Sequence, residues 1–253
     1  MQILLSCAKT MLDTTALQSA FTTLPRFKNE ADRFAIELGQ WSVSELAQTL
    51  HCSPHIASET KLRYLRFFDE GQEIPAIFSY FGQVFKNIDV GTFTSDDFRF
   101  AQSHLWITSY LYGLLRPMDL IHPYRLEGNV SLNAAEEETL FEFWKSRLTD
   151  LLLESVMADD GILVYLAAEE MKHLFDWKRI TNTLDVIQPR FSIMKDGRLK
   201  IIVVYTKNCR GAMTRFIIQN RIQSPQDLIT FEHEGFTYTD LYGDESNPNF
   251  IIL

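Results

Sequence analysis

Apolar and polar positions alternate between two periods along this chain. Gln2-Ile3-Leu4-Leu5 is a short apolar run that predicts an opening strand, and it runs out into small residues and one cation, Ser6-Cys7-Ala8-Lys9-Thr10. A polar segment follows. Residues 41–50 read as a helix started by Ser42 or Ser44 and stopped before Pro54. Thr94-Ser95-Asp96-Asp97 supplies a hydroxyl cap and first-turn acids for a helix carrying Phe98, Ala101, Leu105, Thr108 and Tyr112 on one face, with Gly113 ending it. A further helix is predicted over 136–157, acidic at its start and apolar at Leu140, Phe141, Trp144, Leu148, Leu151 and Leu152.

Gly161 then introduces a continuous apolar strand over 162–166, the pattern of a strand covered on both faces. Strands at 186–194 and 199–205 flank Lys195-Asp196-Gly197-Arg198, and Asp-Gly predicts a two-residue hairpin turn. A helix from Tyr205 to about Ile222 and short strands over 231–253 complete the chain. Helices and strands are interspersed, one hairpin is tight, and neither repeat nor linker breaks the pattern. A single α/β domain over 1–253 with a mixed sheet is expected.

Composition changes this picture little. The 253 residues are 46% apolar and 23% charged, which excludes disorder and fibrous classes. Three cysteines, Cys7, Cys52 and Cys209, are widely spaced with no CxxC pair, so no disulfide framework or zinc knuckle is implied and a reducing cytoplasm is expected. The opening apolar run is too short for a signal peptide or a membrane span.

Charge distribution is more informative than the net −9, which on average repels nucleic acid and membranes. Residues 197–226 hold six basic residues (Arg198, Lys200, Lys207, Arg210, Arg215, Arg221) and no acid, whereas 227–253 hold six acids and no Lys or Arg. Either the two segments neutralise one another or the first faces an anion.

The helix after Tyr205 puts Ala212, Met213, Phe216 and Ile217 on one arc and Lys207, Arg210, Thr214 and Arg221 on the other. Cations near a helix N-terminus are unfavourable unless something negative answers them, either a protein carboxylate or a phosphate. In Arg116-Pro117-Met118-Asp119 and Pro123-Tyr124-Arg125-Leu126-Glu127, two prolines hold Arg116 and Arg125 on a rigid turn, as phosphate donors or as partners of Asp119 and Glu127. Lys9 leaves the first strand, where open sheets keep ligands, though the glycines of a phosphate-wrapping loop are absent. Glu169 and Glu170 leave the strand at 162–166, where a desolvated carboxylate could serve as acid or base or could cap the next helix. His51 and His55 bracket Cys52, but Pro54 interrupts them and no metal site is expected. The aromatic stretch around Gly82-Gln83-Val84 is read as core or as base-stacking surface.

Taken together, these blocks resemble the YaaA peroxide-stress-resistance family of bacteria. The resemblance runs from Leu4-Leu5-Ser6-Cys7-Ala8-Lys9-Thr10, through Phe85 in its Gly-x-Val-aromatic setting, Asp96-Asp97-Phe98, Leu111-Tyr112-Gly113-Leu114-Leu115-Arg116-Pro117-Met118-Asp119 and Pro123-Tyr124-Arg125-Leu126-Glu127, to Arg210-Gly211-x-Met213-x-Arg215-Phe216-Ile217. It implies a positively charged cleft, a helix-hairpin-helix element placed at Leu111 to Leu115 around Gly113, sequence-independent binding of double-stranded DNA, and protection from hydrogen peroxide linked to lower available iron. Cys7, Ala168, Glu170 and Asn208 depart from the family pattern; Ala168 weakens a hydrolytic reading, and Cys7 and Cys209, if exposed, are oxidisable thiols.

The leading expectation is a DNA-binding stress protein, probed by Lys9, Arg116, Tyr124, Arg125, Lys207, Arg210 and Arg215. The alternative is an enzyme acting on a nucleotide or damaged base, with Glu169 as acid or base in a pocket shared with Lys9, Arg125, Lys207 and Arg210. The partner expected is duplex DNA or a nucleotide-like anion, with no cofactor, no metal, no membrane and a monomeric chain. Direct iron storage is not expected, because no His, Cys or Glu set has ligand spacing.

Overall fold

A computed structural model describes residues 1–16 and 21–252. The chain opens with strand β1 (Gln2–Leu5), all four residues buried, and passes through helices α1 (Lys28–Gln40), α2 (Val43–Thr49) and α3 (Pro54–Leu65). A short strand β2 (Ile74–Pro75), the single-turn α4 (Ala76–Ser79), α5 (Gln83–Ile88) and α6 (Ser95–His104) lead to β3 (Leu105–Ser109), β4 (Gly113–Leu115) and β5 (Leu120–Ile121). Helix α7 (Leu140–Met157) precedes β6 (Ile162–Tyr165), α8 (Trp177–Thr183), β7 (Asp185–Ile187) and the hairpin of β8 (Arg190–Lys195) and β9 (Arg198–Lys200). Helix α9 (Val203–Asn220) and the strands β10 (Thr237–Asp244) and β11 (Asn247–Ile252) end the described chain, Leu253 of the expected strand tail lying outside it.

The main sheet has the order β4-β3-β1-β6-β7, with β3, β1, β6 and β7 parallel and β4 antiparallel at the edge. β1 and β3 are buried throughout, and only Ile162 of β6 is partly open, which is why these strands are apolar without alternation. The chain reaches β3 on one side of β1 and later returns to β6 on the other, so the connections diverge at β1. That makes the C-terminal end of β1 a switch point, the place where open sheets leave a crevice. A second sheet, β10-β11-β8-β9, is itself mixed, β11 and β8 being parallel and the outer pairs antiparallel. Asp196 (φ 54°) and Gly197 (φ 70°) turn β8 into β9, as Asp-Gly predicts.

Several expectations are corrected. The helix predicted from Thr94 through Tyr112 stops at His104, and Leu105 starts β3 at once. Leu105-Trp106-Ile107-Thr108 fits a helical face by spacing, but burial beside β1 decides for a strand; a short apolar run cannot be assigned by periodicity alone. Gly113 (φ 72°) therefore turns β3 into β4 rather than capping a helix, and a Cβ there would meet Leu148 at 2.9 Å and Trp144 at 3.0 Å. The helix-hairpin-helix placed at Leu111 to Leu115 is thus a buried β-hairpin. Helix α7 begins at Leu140, where Thr139 and Glu142 form a capping box, while Glu136 and Glu137 sit at positive φ in the preceding turn.

The polar segment after Thr10 contains α1, which buries Ala31, Phe34, Ala35 and Leu38 at helical spacing. Ser42, not Ser44, caps α2, and Pro54 opens α3 at its first position instead of only ending what precedes it. The strand predicted over 199–205 ends at Lys200, and Val203 to Tyr205 form the first turn of α9. Thr214, expected on an open basic face, is fully buried because α9 packs on α5, α6 and β8 together.

The basic segment is answered by carboxylates, but not by those of the acidic tail. Arg215 on the far half of α9 pairs with Asp89 at 2.9 Å, Arg221 just past the end of α9 pairs with Asp97 at 2.8 Å, and Lys200 pairs with Asp196 at 3.5 Å. No pair joins Lys207 or Arg210 to a carboxylate among the described residues.

Helix α9 lies so close to α5 that only glycine fits at 211: a Cβ there would stand 2.1 Å from the Val84 carbonyl oxygen and 2.8 Å from Asn87 Cβ. In an open helix Gly→Ala gains about 1 kcal/mol. Here the backbone of α5 blocks the methyl, and overpacking of this kind costs about 1–3 kcal/mol. Gly211→Ala is expected to lower stability in urea or thermal unfolding despite its better helix propensity; an unchanged or raised midpoint would show that α5 and α9 can separate freely.

Candidate functional site

The exits of β1, β3 and β6 are stitched together by side chains. Ser6 Oγ accepts from the Ala168 amide at 2.8 Å, which fixes the β6 exit, and Thr108 Oγ1 accepts from the Cys7 amide at 3.3 Å, which fixes β3. The Phe81 amide donates to the Thr10 carbonyl at 2.9 Å, holding the turn before α5 against the β1 exit. Between these segments lies a cavity of about 330 Å³, lined by residues 6–10, by Phe81 to Phe85, by Tyr110, by Ala168, Glu170 and Met171, and by Lys207 and Arg210 of α9. That volume lies in the range of small-molecule sites, about 300–1,000 Å³.

Three of the expected cations converge there. Lys9 lines the cavity and pairs with Glu127 at 2.7 Å, and Arg125 stands 3.8 Å from the same carboxylate oxygen, so Arg125 is joined to the site through Glu127 rather than lining it. The Arg125 Nε is buried without a hydrogen-bond partner. Lys207 is exposed; Arg210 is half-buried, and burial pulls its guanidinium below the usual arginine value. Neither has a protein hydrogen-bond partner for its side chain among the described residues.

Four expectations are placed elsewhere. Glu169 turns outward to Lys172 at 2.7 Å and Gln188 at 2.7 Å. Burial alone would raise its carboxyl, but those hydrogen bonds and the charges of Lys172 and Arg210 outweigh it and hold the group below the usual carboxylate range. It is a fixed anion at the rim. Tyr124 is buried beneath the cavity, sharing hydrogen bonds with the hydroxyls of Tyr80 (2.9 Å) and Ser109 (2.7 Å), out of reach of a surface phosphate. Arg116 lies at the opposite end of the sheet, stacked 3.5 Å above Trp106 and donating to the Leu105 carbonyl and Ser155, because β4 runs antiparallel to β3. Arg215 sits in a separate surface groove with Asp89.

Glu170, not its neighbour, faces the cavity; in the tight turn Glu169–Leu174 adjacent side chains diverge. No cation pairs with it among the described residues. The aromatic stretch around Gly82-Gln83-Val84 divides, Phe78 and Tyr80 joining the core while Phe81, Gln83 and Phe85 line the cavity; Tyr110 joins the lining without any signal in its spacing, since only the fold brings it there. Tyr110 is buried, and its hydroxyl is pushed up chiefly by burial and further by the charges of Cys7, Glu170 and Glu127. No group of three or more His, Cys, Asp or Glu side chains suited to a metal occurs among the described residues, and no helix there is long and apolar enough to cross a membrane.

With this geometry in place, the family relationship can be read. The family model for the peroxide stress protein YaaA matches residues 1–241. The chain belongs to the YaaA peroxide stress protein family. It is similar to a UPF0246 protein of Bacteroides fragilis, 47% identical over 251 residues that cover 99% of this chain and 98% of the relative. A UPF0246 protein of Bacteroides thetaiotaomicron is 46% identical with the same coverage, and one of Porphyromonas gingivalis is 42% identical over the full length of both.

In this YaaA-family chain the departures Cys7, Ala168 and Glu170 all line the cavity, while Asn208 lies beside it with its buried Oδ1 unpartnered. The condition set for oxidisable thiols, exposure, is not met at Cys209, which is buried, and is met only in part at Cys7. Burial pushes the Cys7 thiol up to about 12, aided by the charges of Glu127 and Glu170 and opposed by Thr108, and burial does the same at Cys209, to about 12. The reactive thiolate is accordingly scarce at neutral pH. Iodoacetamide at pH 7.5 is expected to label Cys7 and Cys209 of the folded protein more than about a hundredfold more slowly than a free thiol, as read by mass spectrometry. Rapid stoichiometric labelling of Cys7 would show that its thiol is activated.

Proposed function

We propose that this protein acts in the cytoplasm during peroxide stress by binding nucleic acid at the switch-point cavity, with a backbone phosphate seated against Lys207 and Arg210 and Lys9 at the rim. The observation that carries the reading is the pair of cations that close no ion pair beside the sheet edge, when Arg215 of the same helix and Arg221 just past its end are both paired. Arg210 is half-buried and reached by the charge of Glu169 only at a distance, with no ion pair closed, so a ligand anion adds the direct contact it lacks.

The helix-hairpin-helix element implied by the family is reassigned to α2 and α3. They pack together through a four-residue turn, with His51 at positive φ and Ser53 and Pro54 opening α3 at an exposed end. With Pro54 lacking an N–H and the Ile56 amide donating to Ser53 Oγ, the His55 amide at that end offers a second, sequence-blind phosphate contact. Any effect on iron then follows from shielding nucleic acid rather than from holding the metal.

A second reading, an enzyme acting on a nucleotide or damaged base, is favoured by one observation: a carboxylate, Glu170, faces the same cavity. The acid–base role expected of Glu169 passes to Glu170 in that reading.

Two to three cations predict weak, salt-sensitive duplex binding. With about 0.9 unit of slope per neutralised phosphate, log K against log salt should fall with a slope of about −2 to −3. Fluorescence anisotropy with a short duplex is expected to show that slope, loss of binding in the Lys207→Glu, Arg210→Glu double variant, and little change in Arg215→Gln. Absence of binding at low salt, or binding indifferent to the double reversal, would overturn the proposal.

A further inference from the structure

The cavity is amphoteric in a way that duplex backbone alone does not use. Lys207 and Arg210 stand on one wall without an ion-pair partner, only the charge of Glu169 at the rim reaching Arg210; Glu170 stands on another beside the Tyr110 hydroxyl and without a cation, and none of the three closes an ion pair with another. Opposite charges sharing one cavity yet unpaired are bridged most simply by a ligand that is an anion at one end and a hydrogen-bond donor at the other. The remaining lining narrows the choice. Phe81 is 38% exposed at the cavity, with Lys86 4.5 Å above its ring, and Phe85 and Tyr110 add further aromatic wall. A flat ring between the donor end and the anionic end fits such a wall.

We propose that the cavity binds a single guanine-type nucleotide, its phosphate against Lys207 and Arg210 and its base edge against Glu170. A carboxylate only accepts hydrogen bonds, and it offers two adjacent oxygens. Among the four neutral bases of DNA, guanine alone presents two adjacent donors on its pairing edge, the ring N1–H and the 2-amino group. Adenine and cytosine each offer an amino donor beside an acceptor nitrogen, which a carboxylate repels. Site volume agrees with one nucleotide rather than two. In a duplex that edge is already paired, so the base reaches the cavity either as part of a free mononucleotide or unpaired and swung out of the strand. The inference deepens the nucleic-acid reading above and rests on it for the phosphate end only.

Isothermal titration with GMP, IMP and AMP tests the base edge. GMP is expected to bind at least tenfold more tightly than AMP, with IMP, which keeps N1–H and lacks the 2-amino group, in between. Glu170→Gln should reduce the GMP-to-AMP ratio to within about twofold of unity while leaving AMP binding near its original level. Glu169→Gln, at the rim, should keep the ratio, and thermal unfolding of both variants confirms that they are folded. Equal affinity for GMP and AMP, or a preference that survives Glu170→Gln, overturns the assignment.

Comparing a fully paired duplex with one carrying a single unpaired guanine separates the two sources. Tighter, Glu170-dependent binding of the second points to the swung-out base, and Glu170-dependent binding of GMP alone points to the free nucleotide. If duplex binding fails while the GMP preference and its Glu170 dependence hold, the DNA reading falls and the nucleotide site stands. Salt-sensitive duplex binding without base preference leaves the reverse.

Discussion

Everything that faces the cavity depends on β1 being held between β3 and β6 in parallel. Parallel pairing brings three strand exits to one edge, and the divergence of connections at β1 keeps that edge open. The hydroxyls of Ser6 and Thr108 then lock the exits to each other, so the residues that follow the strands hold fixed relative positions. A one-residue slip of β1 would turn Ile3 and Leu5 to the opposite face and carry Lys9 away from Lys207. The apolar strands thus set the chemistry of the edge, though none of their own side chains supplies it.

The second constraint is the contact between α5 and α9. Gly211 follows Arg210 directly, and the absence of a side chain at 211 is what lets α9 lie against the Val84 carbonyl. The guanidinium one residue earlier is thereby pressed toward the β1 and β6 exits instead of out into solvent. Farther along α9 and just past its end, the same packing delivers Arg215 to Asp89 and Arg221 to Asp97, where paired charge fastens the helix to α5 and α6. One helix accordingly divides its cations by position, the first half facing the cavity and the second fixing the scaffold.

What could be read from the sequence follows the range of the interactions involved. β1, β6, the Asp-Gly hairpin and the capped starts of α2 and α6 were legible because each is decided by neighbours within a few residues. β3 was not, since Leu105 to Thr108 satisfies a helical face as well as a buried strand and only β1 alongside settles it. That error displaced Gly113 and the hairpin with it. In the site, Lys9, Lys207 and Arg210 were legible as cations near element ends, whereas Arg116 misled because antiparallel β4 returns it to the wrong edge. The choice between Glu169 and Glu170 turned on the rotation of one tight turn, which no local pattern specifies.

Neutralisation by the acidic tail was a reasonable expectation from charge alone, and the way it fails carries the functional argument. The tail folds into β10 and β11, with Asp244 engaged by Asn247 and the rest of β10 largely exposed, so its charge is spent in solvent. The cations that needed stabilising for the fold obtained carboxylates from α5, α6 and the β8–β9 turn instead. Lys207 and Arg210 were left out of that settlement although Glu170 lies on the adjoining wall and the charge of Glu169 at the rim reaches Arg210. Desolvation weighs on an unpaired charge only where it is buried, and here that applies to Arg210 alone. Of the three groups only Arg210 is half-buried, Lys207 and Glu170 being exposed, so it is the guanidinium without an ion pair that the nucleic-acid proposal rests on.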